Sequence, residues 1–177
     1  MLAVALSAEA NANTIVYRSG LTTPLNGAVW FDFSTGSSGA VADRLLAPGT
    51  AEFELQQSTG PFIPDFGYAR GGVDLVGLGP SSEVLIFNMG NAIENLPKGF
   101  RISSQFFQDG TWIFYPNGFL AADRGGGFSG QWSPGSTGFA GLTFRLPDGT
   151  RHYGWAEITV NQVPLSPNYI ATLDRFA

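Results

Sequence analysis

The sequence predicts an all-β fold, an antiparallel β-sandwich or jelly-roll-like domain of about ten strands. Three observations carry this expectation. Twenty-four glycines and 11 prolines interrupt 177 residues, too often for long helices. Apolar residues fall in short runs, several with a two-residue period, between turn residues. Aromatic residues reach 14%, a composition that suits pleated, half-buried strands. The length fits one domain, read as residues 13–177, and the 44% hydrophobic content is enough to bury a core.

Along the chain, TIVYR (14–18) and GAVWFDF (27–33) read as strands around the turn-rich LTTPLNG. In the second, Val29, Phe31 and Phe33 alternate with Trp30 and Asp32. STGSSG (34–39) reads as a loop. AEFELQQ (51–57) alternates, placing Phe53 and Leu55 on a core face and Glu52, Glu54 and Gln56 on a wet one. STGPFIPDFGYARGG (58–72) has the Gly and Pro of a long surface loop. EVLIFN (83–88) suits a buried strand, and GNAIENLPKGF (90–100) holds the one helical turn, ended by Pro97. RISSQFF (101–107), TWIFY (111–115) and GFLAA (118–122) are strands, with hairpin signals at Asp109-Gly110 and Pro116-Asn117-Gly118.

A glycine-rich loop, DRGGGFSGQWSPGSTG (123–138), leads to the clearest unit. FAGLTFRL (139–146), PDG and RHYGWAEITV (151–160) form an antiparallel hairpin turned at Asp148-Gly149. YIATLDRF (169–176) adds a last strand, with Ile170, Thr172, Asp174 and Phe176 opposite Tyr169, Ala171, Leu173 and Arg175. Uneven strands and the lack of an internal repeat favour two stacked sheets over a closed barrel.

Composition removes several classes of function. Charged residues make up 13%, about half the usual share, and the formal net charge is −5 with a pI near 4.6. Eight arginines and one lysine, Lys98, are scattered, so no basic stripe meets a nucleic-acid backbone or an anionic membrane. Without cysteine there are no disulfides, thiolate nucleophiles, iron–sulfur ligands or thiolate zinc sites. No stretch approaches the roughly 20 apolar residues of a spanning helix. At the N-terminus, apolar Leu2 to Ala8 precedes Ala10-Asn11-Ala12, which reads as the tail of a secretory signal over residues 1–12. Export, to the medium or the cell surface, is the expected localisation.

The segment GFAGLTFRLPDGTRHYGWAEITVN, followed by a strand ending in LDRFA, resembles the C-terminal part of extracellular proteins of Gram-negative bacteria that carry a PEP-CTERM sorting signal. In those proteins G-[FY]-[IL]-G-[FL]-x-F, a turn, H-Y-G-W-x-x-[VI]-x-V and a final x-[FY]-A-[YF]-[ED] recur. The matching residues are Gly138, Phe139, Gly141, Phe144, His152 to Trp155, Ile158, Val160, Phe176 and Ala177. TIVY, the G-x-x-x-F-D-F strand and the Gly/Ser loop after it are similar too, while residues 40 to 130 lie outside the likeness. The resemblance implies export and display on the surface or in an extracellular matrix, and it implies no catalytic activity. The sequence stops at Ala177, short of the Pro-Glu-Pro motif, apolar helix and basic residues of relatives, so anchoring by that tail is not expected of this stretch. Relatives often carry a D-x-[ND]-x-D-G loop; here Asp32 is followed by FSTGSSG, and calcium, which wants several oxygen ligands, is not expected there.

Few residues look chemical. His152 is the one histidine, but no G-x-S-x-G elbow accompanies it. Its strand places it with Gly154, Ala156, Ile158 and Val160, opposite Arg151, Tyr153, Trp155, Glu157 and Thr159, as a structural residue bonded to a backbone group. Glu52 and Glu54, about 7 Å apart on one strand face, read as a solvated face rather than the flanking pair of a retaining glycosidase. Asp65, Asp74, Asp109 and Asp123 read as turn caps, and GGG at 125–127 lacks the lysine and helix of a phosphate cradle. No catalytic residue, metal or cofactor is expected. Trp30, Trp112, Trp132 and Trp155, with Tyr115 and Tyr153, either pack the sheets or line a sugar-stacking face. Of these, Trp132, set in a glycine-rich loop, is least explained by packing, and Trp132, Trp112 and Tyr115 are the glycan-stacking candidates. The expected function is a non-enzymatic structural or adhesive role at the cell surface or in an extracellular polysaccharide matrix, with that polysaccharide or other surface proteins as partners. The alternatives are a lectin-like carbohydrate-binding module and, second, a glycan hydrolase.

Overall fold

The computed structural model describes residues 15–42, 48–58, 70–79, 81–87, 92–100, 102, 112–123, 128–146, 148–164, 166 and 168–177. At 58, 70, 71, 87, 112, 123, 128 and 129 it describes the backbone alone. In chain order the strands are β1 (Tyr17–Thr22), β2 (Ala28–Asp32), β3 (Ser37–Val41), β4 (Phe53–Ser58), β5 (Arg70–Gly77), β6 (Glu83–Phe87), β7 (Trp112–Tyr115), β8 (Asn117–Asp123), β9 (Phe128–Gly130), β10 (Ser136–Arg145), β11 (Arg151–Gln162) and β12 (Tyr169–Phe176). They form two antiparallel six-stranded sheets, β1-β12-β11-β10-β6-β7 and β3-β2-β4-β5-β8-β9, stacked as a β-sandwich. Most consecutive strands stay in one sheet as hairpins or a meander, and the chain changes sheet at β1–β2, β5–β6, β7–β8 and β9–β10. That is a sandwich of hairpins, rather than the interleaved strand order of a jelly roll.

The C-terminal meander is the most regular part. β10 and β11 pair without a break from Ser136↔Val160 to Arg145↔Arg151, with Gly149 at φ +82° in the turn, as the Asp-Gly signal predicts. β11 buries Gly154, Ala156, Ile158 and Val160 and leaves the intervening residues partly open. β12 departs from simple alternation. Glu157 pairs with Arg175 while Ile158 pairs with Leu173, so Asp174 is the extra residue of a β-bulge. The bulge turns Phe176 to the same side as Tyr169, Ala171 and Leu173, and all four are buried.

Phe176 then closes an aromatic core between the sheets. Its ring lies 5.3 Å from Phe31 and 5.2 Å from Phe33. Phe33 stacks on Phe144 at 4.5 Å and Phe31 on Phe53 at 5.5 Å. These geometries suit aromatic pairs, which add roughly 0.5–1.5 kcal/mol each beyond the area they bury. Gly154 makes room for the cluster, since a Cβ there would lie 2.9 Å from a Phe33 ring carbon.

Several expectations change. TIVYR lies one turn early, because the strand begins at Tyr17 and runs through Leu21 and Thr22. STGSSG is a loop only to Gly36; Ser37 onward is the edge strand β3, paired with β2 through Val41. Its weak strand propensity is offset by the Trp30 indole, which covers Gly39. The helical turn at 90–100 is absent from its described part. Residues 92–96 instead form an extended strap that bridges Ile86 and Phe139 in one sheet and Phe119 in the other. Ile93 and Leu96 are both buried, and their three-residue spacing imitates a helix face. A single turn is costly to nucleate, whereas the strap finds waiting acceptors: Ile93 N–H bonds Phe119 O and Leu96 N–H bonds Phe139 O, each at 2.9 Å. Pro116-Asn117-Gly118 is no hairpin either, since it carries the chain from β7 in one sheet to β8 in the other. The expected signal remnant, most of the 58–72 loop and nearly all of RISSQFF lie outside the described residues.

Candidate functional site

The outer face of the first sheet carries a groove of about 280 Å³, near the lower limit of small-ligand sites. Its floor is made by strand residues that the two-residue period turns away from the core: Phe139 of β10 and Trp155 of β11. Their rings meet edge to face, 5.4 Å apart at 77°. One wall is the segment Leu96, Pro97, Lys98, Gly99, Phe100 and Ile102; Val16 and Arg175 complete the lining.

Glycines let that wall approach the sheet. A Cβ at Gly138 would collide with the Asn95 amide, and one at Gly141 would lie 3.1 Å from both Leu96 Cδ1 and Ile102 Cδ1. Arg175 sits over the Trp155 ring, 5.9 Å from its centroid, a cation–π arrangement. It is held there by a two-pronged pair with Glu157: Nε donates to Oε2, and Nη2 donates to Oε1 at 3.1 Å. This hydrogen bond first, and the Glu157 charge second, raise the Arg175 pKa above its ordinary value. Nη1 takes no part in the pair.

Beside the row Phe139–Glu157–Arg175 runs a hydroxyl ladder. Thr137, Thr159, Thr172 and Thr22 are register partners across β10, β11, β12 and β1. Thr137 bonds Thr159 at 2.7 Å and Thr172 bonds Thr22 at 2.8 Å, while the Thr159 hydroxyl donates to Asp174 at 2.7 Å. Farther along β11, Tyr153 packs against Phe114 at 6.0 Å. The face therefore combines aromatic rings, a fixed guanidinium and aligned hydroxyls.

Of the glycan-stacking candidates, Trp132 and Tyr115 fall elsewhere. Trp132 is fully buried, and its indole N–H donates to Ile93 O at 3.2 Å. Its loop folds inward beneath the 92–96 strap, so this ring is core and cannot stack on a sugar. Tyr115 is 45% exposed at the end of β7. Of Trp112 the backbone alone is described, as the first residue of β7. Neither Trp132 nor Tyr115 lines the groove. Sequence alone sets Trp155 among six aromatics without singling it out, and points to neither Phe139 nor Arg175. The available signal was the strand period itself, which places Trp155 on the outward face of RHYGWAEITV, where a large aromatic marks a recognition surface.

His152 bonds a side chain, not the backbone group expected of it. The Thr150 hydroxyl donates to Asp148 Oδ1 at 2.6 Å and therefore accepts from His152 Nε2, 2.8 Å away. The imidazole stacks on Phe144 at 5.9 Å. The order carboxylate, hydroxyl, imidazole is wrong for activating a nucleophile, which requires the hydroxyl proton to pass to the imidazole.

The two glutamates do not share a wet face. Glu54, in register between Trp30 and Val76 in mid-sheet, is fully buried. Glu52 turns to the β2–β3 turn, where Oε2 accepts from Phe33 N–H at 2.6 Å. Asp32 caps the same turn, its Oδ1 accepting from Ser34 N–H at 2.8 Å and Ser34 Oγ–H at 2.6 Å. Burial, more than the nearby Asp32 charge, pushes the Glu52 carboxyl up to about 7 against these backbone donors. Neither Asp32 nor Glu52 lines the groove.

Fold and site together define an all-β sandwich with an aromatic, cation-bearing groove on one sheet face. Neither a family model, nor a curated protein, nor a solved structure matches the chain.

Proposed function

We propose that this protein is an exported, non-catalytic adhesive module that binds extracellular polysaccharide in the groove over Trp155. The observation that carries the reading is the constellation itself: indole and phenyl rings at the floor of a surface groove, flanked by a fixed guanidinium and a hydroxyl ladder. Sugars present apolar C–H faces to aromatic rings and hydroxyls to polar rims, so this combination fits their chemistry. The acidic cluster at the β2–β3 turn belongs to the other sheet and stays out of the groove, which supports binding over hydrolysis. The reading of Ala10-Asn11-Ala12 as a cleavage site and the resemblance of RHYGWAEITV to PEP-CTERM proteins support export and a place in the extracellular matrix.

The test is affinity electrophoresis through gels containing soluble polysaccharides. Wild type should be retarded by at least one polymer, Trp155→Ala should migrate freely, and Tyr115→Ala should behave as wild type. Retardation that survives Trp155→Ala would show that the groove is not the site.

A further inference from the structure

Building on the polysaccharide reading of this groove, we propose that its ligand is a polyuronate, a chain whose carboxylates are taken by Lys98 and Arg175. The charged residues described in the lining are these two cations, with no lining carboxylate. The chain as a whole has net charge −5 and a single lysine, so composition alone does not put two cations in one groove. Lys98 is an exposed residue of the wall. Glu157 occupies Nε and Nη2 of Arg175, which fixes the guanidinium against the Trp155 ring and leaves the two N–H groups of Nη1 for a ligand.

A uronate residue supplies both partners at once, a C–H face for Trp155 and a carboxylate for the cations. Charge-assisted hydrogen bonds are about twice as strong as neutral ones, and the side chain that makes them is already held in place, so little further ordering is needed on binding. A neutral sugar satisfies the aromatic floor and leaves Lys98 and the Nη1 group of Arg175 without a carboxylate partner.

The experiment compares polygalacturonate with the same polymer after its carboxyls have been reduced to alcohols, by titration calorimetry at two salt concentrations. Wild type should bind polygalacturonate roughly tenfold or more tightly than the reduced polymer, as expected for charge-assisted contacts, and should lose affinity as salt rises. Lys98→Gln, a change at an exposed position, should weaken polygalacturonate binding several-fold and weaken binding of the reduced polymer by a clearly smaller factor. Trp155→Ala should abolish binding to both. Equal affinity for the two polymers would overturn the charge inference and leave the polysaccharide reading standing. Binding to neither would overturn both. Dextran sulfate bound as tightly as polygalacturonate, and unaffected by Trp155→Ala, would show a nonspecific polyanion surface and overturn the uronate assignment.

Discussion

Replacing Glu52 by glutamine should stabilise the protein at pH 8 and leave it nearly unchanged at pH 4. The carboxyl has an ordinary value of 4.5 and is pushed up to about 7 in the fold, so the native state holds this proton more tightly than the unfolded chain does. Stability contributed by the group is therefore complete below pH about 4.5 and is lost as pH rises through about 7. The ceiling is about 3 kcal/mol at roughly 1.4 kcal/mol per tenfold change in proton affinity. Partial solvent access reduces that to about 1–2 kcal/mol. Glutamine keeps an oxygen to accept the Phe33 N–H and carries no charge beside Asp32, so the pH-dependent loss should vanish. Urea unfolding of both proteins from pH 4 to pH 8 measures the difference directly. Glu94 is also raised by burial, but it titrates in both proteins and cancels in the comparison. If wild type matched or exceeded the variant at pH 8, the carboxylate would be stabilising when ionised, and its backbone donors would outweigh desolvation.

Gly154→Ala should cost about 1–3 kcal/mol, the usual range for overpacking. The new Cβ would lie 2.7 Å from Ala177 O and 2.9 Å from the Phe33 ring; denaturant midpoints report the loss. Phe176→Ala should cost about 3–5 kcal/mol, because the ring contacts Tyr17, Phe31 and Phe33. Thr150→Val should leave the fold intact while the Asp148 carboxyl, held below its usual range first by the Thr150 hydroxyl and then by the Thr150 N–H, titrates at higher pH. Carbon-detected NMR titration of Asp148 follows the shift.

The fold was most legible where local signals agreed with one another. Asp148-Gly149 and the alternation of β10 and β11 specify the hairpin and its register without help from distant residues. The bulge at Asp174 was not legible, because it depends on how β12 meets β11, and it reverses the predicted side of Phe176. Residues 92–96 misled for a related reason. Two buried apolar residues three apart satisfy a helix pattern, and only the acceptors at Phe119 and Phe139 show that the chain is extended. Trp132 misled through composition, since glycine and serine neighbours suggest exposure, yet its ring fills the core and its N–H finds Ile93 O. The groove was half legible. The outward position of Trp155 follows from strand period, but its wall is seated by Asn95, Leu96 and Ile102 lying against Gly138 and Gly141, a contact across long sequence separation.

The central claim is that Trp155, and not another tryptophan, meets the ligand. A two-dimensional ¹H–¹⁵N spectrum titrated with oligogalacturonate tests it through the indole N–H signals of the four tryptophans. The Trp155 signal should move saturably, while that of Trp132, buried and bonded to Ile93 O, should stay in place. A stationary Trp155 signal at concentrations that saturate binding would contradict the account.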